Sequence, residues 1–142
     1  MHPRKYSILI VEDHDNTRDG LTALLAADYT CFAAASAEAA MRLLVARYFN
    51  LVLTDIHLPD ASGLEICRLV RKLSVDTVVI AMTAMTDAGY RDRALKEGIL
   101  YYIEKPFAPD KLLVWIKTAL RCQALARESR ASEQKAHAVG TN

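Results

Sequence analysis

Three carboxylates, a hydroxyl and an ammonium stand at the ends of short apolar runs in this chain. Glu12 and Asp13 follow the first run, Asp55 ends the third, Thr83 the fourth, and Lys105, with Pro106 behind it, the fifth. Taken singly, each has an ordinary reading. An acidic pair after a strand is more often a turn or a helix cap than a metal site, a lone Asp there is usually a cap, a Thr is a β-former and a Lys is solvated. Convergence changes this. Carboxylates held together repel and raise one another's pKa, so three of them need a compensating cation. Oxygen ligands without a His or Cys cluster favour a hard ion, Mg2+ or Mn2+. With Lys105 as a further positive charge and Thr83 as a hydroxyl donor, the set suits binding and transfer of a phosphoryl group.

The elements that would bring these residues together are legible as changes of period. Residues 6–11, 29–34, 51–54, 77–82 and 100–103 form the five apolar runs, several nearly continuous in Ile, Leu and Val. Such runs fit parallel strands covered on both faces. Between them the period becomes helical. Ala37, Ala40, Met41, Leu44, Val45 and Tyr48 make one stripe, with Ser36 before it as an N-cap. Leu112, Ile116, Ala119, Leu120 and Gln123 make another, with Pro109 suited to the first helical position and Asp110 to the first turn. A helix over 92–97 is expected to stop at Gly98. Five strands alternating with five helices through short connections predict a doubly wound α/β sheet. In such a sheet ligands bind outside the carboxyl ends of the strands, which is where the five reactive side chains stand.

Length and composition set the outer limits. A chain of 142 residues has room for one domain. With 52% hydrophobic and 25% charged residues it reads as an ordinary globular protein. A net charge of +1 gives no general argument for nucleic acid or membrane as partner. Cys31, Cys67 and Cys122 are odd in number and far apart, so they read as reduced thiols suited to the cytosol. No signal peptide or membrane span is expected, and the expected location is the cytoplasm. Residues 1–121 read as the domain. Residues 122–142, without an aromatic residue or an apolar stripe beyond Leu125, read as a frayed extension of the last helix followed by a flexible tail or a linker stub.

Four segments carry a resemblance. ILIVEDHD, LVLTDIHLPDASGLE, VVIAMTA and YYIEKPF, in this order and at these spacings, resemble the receiver domain of two-component response regulators over about residues 6–121. The resemblance implies a flavodoxin-like fold, a five-stranded sheet of order 2-1-3-4-5, the strand order that flavodoxin and the chemotaxis receiver share. It implies that Asp55 is the phosphoacceptor, taking its phosphoryl group from a phosphohistidine. Asp13 becomes a direct Mg2+ ligand beside Asp55, Glu12 acts through water, and the backbone carbonyl of His57 completes the protein ligands. Lys105 pairs with Asp55 and then with a phosphoryl oxygen, and Thr83 donates its hydroxyl to another. Tyr102 takes the switch-aromatic position, and the bond before Pro106 is cis. The side chain of His57 lies over the site, His14 is a loop residue and not a ligand, and small Ala84 leaves access for the donor.

The partners implied are a sensor histidine kinase or phosphotransfer protein, and an output domain or partner protein. The latter is met through the face of the fourth helix, fifth strand and fifth helix, where Met85, Tyr101, Tyr102 and Trp115 lie on or near the surface, and where the phosphorylated form can pair with a second copy. No direct nucleic-acid or membrane contact is implied. Two other readings remain at this point. A phosphorylation-independent protein-binding module on the same fold is weakened by the complete set of reactive residues. A Mg2+-dependent phosphatase with a nucleophilic Asp resembles a DxDx[TV] pattern at the first strand, where this chain has EDHDN.

Overall fold

The computed structural model describes residues 6–84, 88–97, 99 and 101–140. Met85, Gly98 and Leu100 lie outside the described residues. Five strands, β1 (Ser7–Val11), β2 (Thr30–Ala34), β3 (Leu51–Asp55), β4 (Val78–Thr83) and β5 (Tyr101–Glu104), alternate with five helices, α1 (Asp15–Leu25), α2 (Ala37–Ala46), α3 (Gly63–Leu73), α4 (Ala88–Lys96) and α5 (Pro109–Gly140). Every pairing is parallel and the order is β2-β1-β3-β4-β5.

Strand side chains alternate between two faces, and each face has its own core. Leu9, Val11, Val52, Val79 and Ala81 pack with Ala40 and Leu44 of α2 and Ile66, Cys67 and Val70 of α3. Ile8, Ile10, Leu51, Leu53, Ile80 and Met82 pack with Leu21 and Leu25 of α1 and with Leu112, Ile116, Ala119 and Leu120 of α5. The inner strands β3 and β4 are buried at every position, which is why each opens on an unbroken apolar run, residues 51–53 and 78–82, instead of alternating. Cys31, Cys67 and Cys122 are free thiols. Among the described residues no helix is long and apolar enough to cross a membrane.

Helix starts are held by side chains from the loops that precede or face them. Ser36 Oγ accepts the Ala39 amide at 3.2 Å, as its N-cap position requires. The Asp60 carboxylate, from the loop after β3, accepts the amides of Ala37 and Glu38, both at 2.9 Å. Ser62 Oγ accepts the Leu64 amide at the start of α3. The peptide bond between Lys105 and Pro106 is cis.

Three expectations change in detail. The α2 stripe ends early: the helix stops at Ala46, Val45 is 70% exposed and Tyr48 is exposed beyond the helix end. Arg47 turns the backbone to an extended conformation, and Phe49, 1% exposed, takes the buried place. The fourth helix begins at Ala88, ahead of the expected 92. The largest difference is at the chain's end. There the extension expected after residue 121 is helical, α5 running from Pro109 to Gly140.

A polar stripe takes over where the apolar one ends. Buried Gln123 donates from Nε2 to the carbonyls of Asn50, at 2.7 Å, and Asp76, at 2.5 Å. One and two turns further on, Arg127 and Arg130 pair with the Asp76 carboxylate. Arg127 also lies over the Tyr48 ring, 5.6 Å from its centroid. The rest of the segment is rich in Ala, Glu, Gln, Lys and Arg, residues that cost little in a helix.

Candidate functional site

Four strand ends meet at the carboxyl edge of the sheet. Glu12 follows β1 and is fully buried, Asp55 ends β3 at 6% exposure, Thr83 ends β4 at 1%, and Lys105 follows β5. The strand register aligns them: Val11 pairs with Thr54, Asp55 with Met82, and Thr83 with Glu104. The Lys105 amide donates to the Thr83 carbonyl at 2.7 Å, so the two residues are neighbours across the ladder.

The Lys105 ammonium is shared. Nζ donates to Glu12 Oε2 at 2.5 Å and to Asp55 Oδ2 at 2.9 Å. The other Asp55 oxygen, Oδ1, accepts the His57 amide at 3.1 Å, and the Thr54 hydroxyl donates to the Asp55 carbonyl at 3.0 Å. A carboxylate held by an ammonium on one oxygen and an amide on the other is fixed in orientation.

These contacts set the charges. Burial raises the Glu12 carboxyl, but hydrogen bonds from Lys105 and His14 and the Lys105 charge outweigh it, and its pKa lies below the ordinary value. Burial likewise opposes the Lys105 ammonium, and hydrogen bonds to Glu12 and Asp55 with their two charges carry its pKa above the ordinary value. Glu12 and Lys105 therefore hold each other ionised.

Asp13 stands slightly apart, 31% exposed. Its Oδ1 is buried and accepts no hydrogen bond among the described residues; His14 Nδ1 lies 3.4 Å away. His14, expected as a plain loop residue, lays its ring on the acidic pair, with Nδ1 3.0 Å from Glu12 Oε1. Ligand atoms of Glu12, Asp13 and His14 lie within 4.8 Å of one another. An orphaned carboxylate oxygen beside a second carboxylate fits a divalent cation.

Three residues that support the site were not singled out from the sequence. Arg18, one helical turn beyond the pair, donates from Nη1 to the Glu12 carbonyl at 2.9 Å and from Nη2 to Asp15 at 2.5 Å. Asp60 ties the loop after Asp55 to the start of α2. Gly63 brings α3 against the Asp55 backbone, where a Cβ would overlap the Asp55 carbonyl oxygen. Its amide donates to the Ile56 carbonyl at 2.8 Å. The signal for the last two was the run PDASG, turn formers followed by a helix start.

The side chain of His57 is exposed beside the site, and Ala84 is exposed at its rim. Tyr101 and Tyr102 point to opposite faces of β5. Tyr102 packs half-buried against the core shared with α2 and α3. Tyr101 packs against α5, its ring 5.8 Å from that of Trp115. An open depression of about 690 Å³ lies between α1 and the start of α5, lined by Gly20, Leu21, Leu24, Ala84, Lys105 and Phe107 among others.

The family model described as the response regulator receiver domain matches residues 8–117. The phosphate regulon transcriptional regulatory protein PhoB of Pseudomonas aeruginosa is 36% identical over 118 residues, which are 81% of this chain and 52% of that protein. A CheY-like response regulator receiver domain protein from Methanospirillum hungatei superposes with a TM-score of 0.84 at 31% identity, covering 87% of this chain and 99% of that one. The signal receiver domain of an HD domain-containing protein from Pseudomonas fluorescens gives 0.83 at 30% identity, covering 90% and 96%. The chain spans about half the length of the curated relatives it matches.

Proposed function

This chain belongs to the response regulator receiver family, and on that footing we propose that it takes a phosphoryl group onto Asp55 from a phosphohistidine donor and relays the change to a partner or output domain. The observation that carries the reading is the single ammonium of Lys105 held between Glu12 and Asp55. In the transfer an Asp55 oxygen attacks phosphorus, the phosphorus–nitrogen bond of the donor breaks, and the leaving imidazole takes up a proton. Lys105 turns from the Asp55 carboxylate to a phosphoryl oxygen, and the Thr83 hydroxyl donates to another. A bound Mg2+ or Mn2+ would neutralise charge building on the phosphoryl oxygens. Asp13 and Asp55 would hold it directly, Glu12 through water, and His57 by its backbone carbonyl. The orphaned Asp13 Oδ1 supports that assignment.

A phosphoryl group brings about −1.5 to −2 charge and three acceptor oxygens. Thr83 answers by moving inward and Tyr102 by turning, which alters the face formed by α4, β5 and α5, including Trp115. That face is the surface for the output domain or partner, and for pairing with a second phosphorylated copy. A sensor histidine kinase or a phosphotransfer protein is the donor, and the cytoplasm the place of action. The only reaction catalysed is the gain and loss of phosphate on Asp55. Against a phosphorylation-independent binding module stands the complete set of Glu12, Asp13, Asp55, Thr83 and Lys105.

Intact-mass measurement after incubation with a small phosphodonor and Mg2+ tests the reading. Wild type gains one phosphate and Asp55→Asn none; equal labelling of the variant would remove Asp55 from its role.

A further inference from the structure

Exposed apolar side chains gather at the edge of the sheet opposite Asp55. Among the described residues eight large ones stand well exposed, and four of them, Val45, Tyr48, Leu73 and Val75, belong to this edge, at 45% to 75% exposure. Val45 and Tyr48 flank the end of α2, and Leu73 and Val75 the end of α3. Scattered singly, such residues are ordinary; gathered on one edge they mark a contact surface.

The surface is hollowed. A depression of about 290 Å³ between the ends of α2 and α3 is lined by Val45, Tyr48, Phe49, Val70 and Leu73 among others. A second, of about 250 Å³, lies between the loop before β4 and α5 and takes in Val75, Tyr101 and Ala126. Thr77 borders both.

Its charge is one-sided. Among the described residues lining the two depressions the cations are Arg47, Arg71 and Arg130, and the one carboxylate is Asp76. That carboxylate is already shared: Arg127 Nε is 3.7 Å from one oxygen and Arg130 pairs with the other. The Arg47 guanidinium lies 3.8 Å from the centroid of the Phe32 ring. Stacking uses the face of the guanidinium and leaves its N–H edge for another acceptor. Arg71 stands in the last turn of α3, where a cation complements the helix end. Arg127 and Arg130 lie well inside α5, so helix ends do not account for the excess.

We propose that this edge docks an acidic protein segment carrying one or two large apolar side chains. The apolar anchors fill the depressions and the carboxylates meet the guanidinium groups around them. The hollows favour side chains over a bilayer surface, which would leave them unfilled. The apolar residues favour protein over nucleic acid, whose phosphates would meet the arginines but not Leu73 or Val75. Because the surface lies across the sheet from Asp55, a segment bound here leaves the phosphoacceptor open.

The test is fluorescence anisotropy and amide-shift mapping of the full chain with a labelled amphipathic peptide of Glu, Gln, Ala and Leu. Two controls carry Lys in place of Glu, or Ser in place of Leu. The acidic peptide is expected to bind with a Kd on the order of 10–100 μM and to shift the amides of residues 45–49 and 73–77. Its affinity should fall roughly fivefold or more when salt is raised to about 0.5 M. Leu73→Asp and Val75→Asp, both at exposed positions, should each weaken it about fivefold or more. No binding of the acidic peptide, equal binding of the Lys control, or shifts confined to other residues would overturn the proposal. So would phosphatidylglycerol vesicles or a single-stranded oligonucleotide that titrate these same amides more tightly than the peptide does.

Discussion

Lys105 Nζ lies 2.5 Å from Oε2 of Glu12, so the ammonium of the site is paired with a fully buried carboxylate as well as with Asp55. Removing the ammonium strands two carboxylates in the sheet edge. Without divalent ions, Lys105→Met is expected to lower unfolding free energy by about 2–4 kcal/mol in urea titrations. Added Mg2+ should return part of that loss, since an ion near Asp13 and Asp55 supplies the missing charge. An unfolding midpoint equal to that of wild type would show that the pair contributes nothing to the fold.

Acid should weaken the fold through Glu12. Its folded pKa lies below the ordinary value of 4.5, so the unfolded chain takes up its proton first as pH falls. The stabilisation is present above about pH 4.5 and is lost as pH drops through the folded value. Lys105 works at the other end: its pKa is raised above 10.5, so its share is complete below that and disappears as pH rises through the folded value. Urea titrations from pH 3 upward in EDTA should show a steeper acid loss for wild type than for Glu12→Gln. Asp60, also lowered by the amides of Glu38 and Ala37, acts in both proteins, so the difference isolates Glu12. Parallel curves would contradict the assignment.

Beryllofluoride, which mimics a phosphoryl group on a carboxylate, is expected to shift the amide resonances of Thr83, Tyr102 and Trp115 while α2 stays nearly still. Thr83 ends β4 and Lys105 follows β5, the two strands nearest that face. Thr83→Ala should still take the mimic but pass on less of the change. Shifts confined to the immediate neighbours of Asp55 would favour the binding-module reading.

Two glycines make an internal control. Gly20 has open space where a Cβ would go, so Gly20→Ala, inside α1, is expected to raise stability by about 0.5–1 kcal/mol. Gly63→Ala drives a methyl into the Asp55 carbonyl. It is expected to cost about 1–3 kcal/mol and to slow labelling of Asp55 by small phosphodonors. A Gly63→Ala protein as stable and as reactive as wild type would show that α3 can back away from Asp55 at no cost.

The residues that sequence reading located are those whose position follows from a strand's end. In a parallel sheet with both faces covered, Glu12, Asp13, Asp55, Thr83 and Lys105 had to share one edge once their runs were read as strands. What escaped depends on approach between segments. Asp60 caps a helix more than 20 positions earlier in the chain, and no local pattern marks that partnership. Gly63 is required by a backbone contact with Asp55 that exists only after α3 has packed. His14 read as a loop residue because its ring bonds depend on where Glu12 points. The extent of α5 was missed because a search for apolar stripes does not register Gln123, Arg127 and Arg130, whose partners Asn50 and Asp76 lie at the opposite edge of the sheet from Asp55.

That opposite edge gives α5 two end stations on either side of its apolar seat, where Leu112, Ile116, Ala119 and Leu120 lie on the sheet. Its first turn begins four residues after Lys105, and its other support, at Asp76, receives Arg130. At 1.5 Å per residue the stations are roughly 32 Å apart. A tilt of about 5° at the first would carry the second roughly 3 Å, enough to part the guanidinium groups from Asp76. A helix of this length would turn a small angle at one edge of the domain into the making or breaking of a discrete contact at the other.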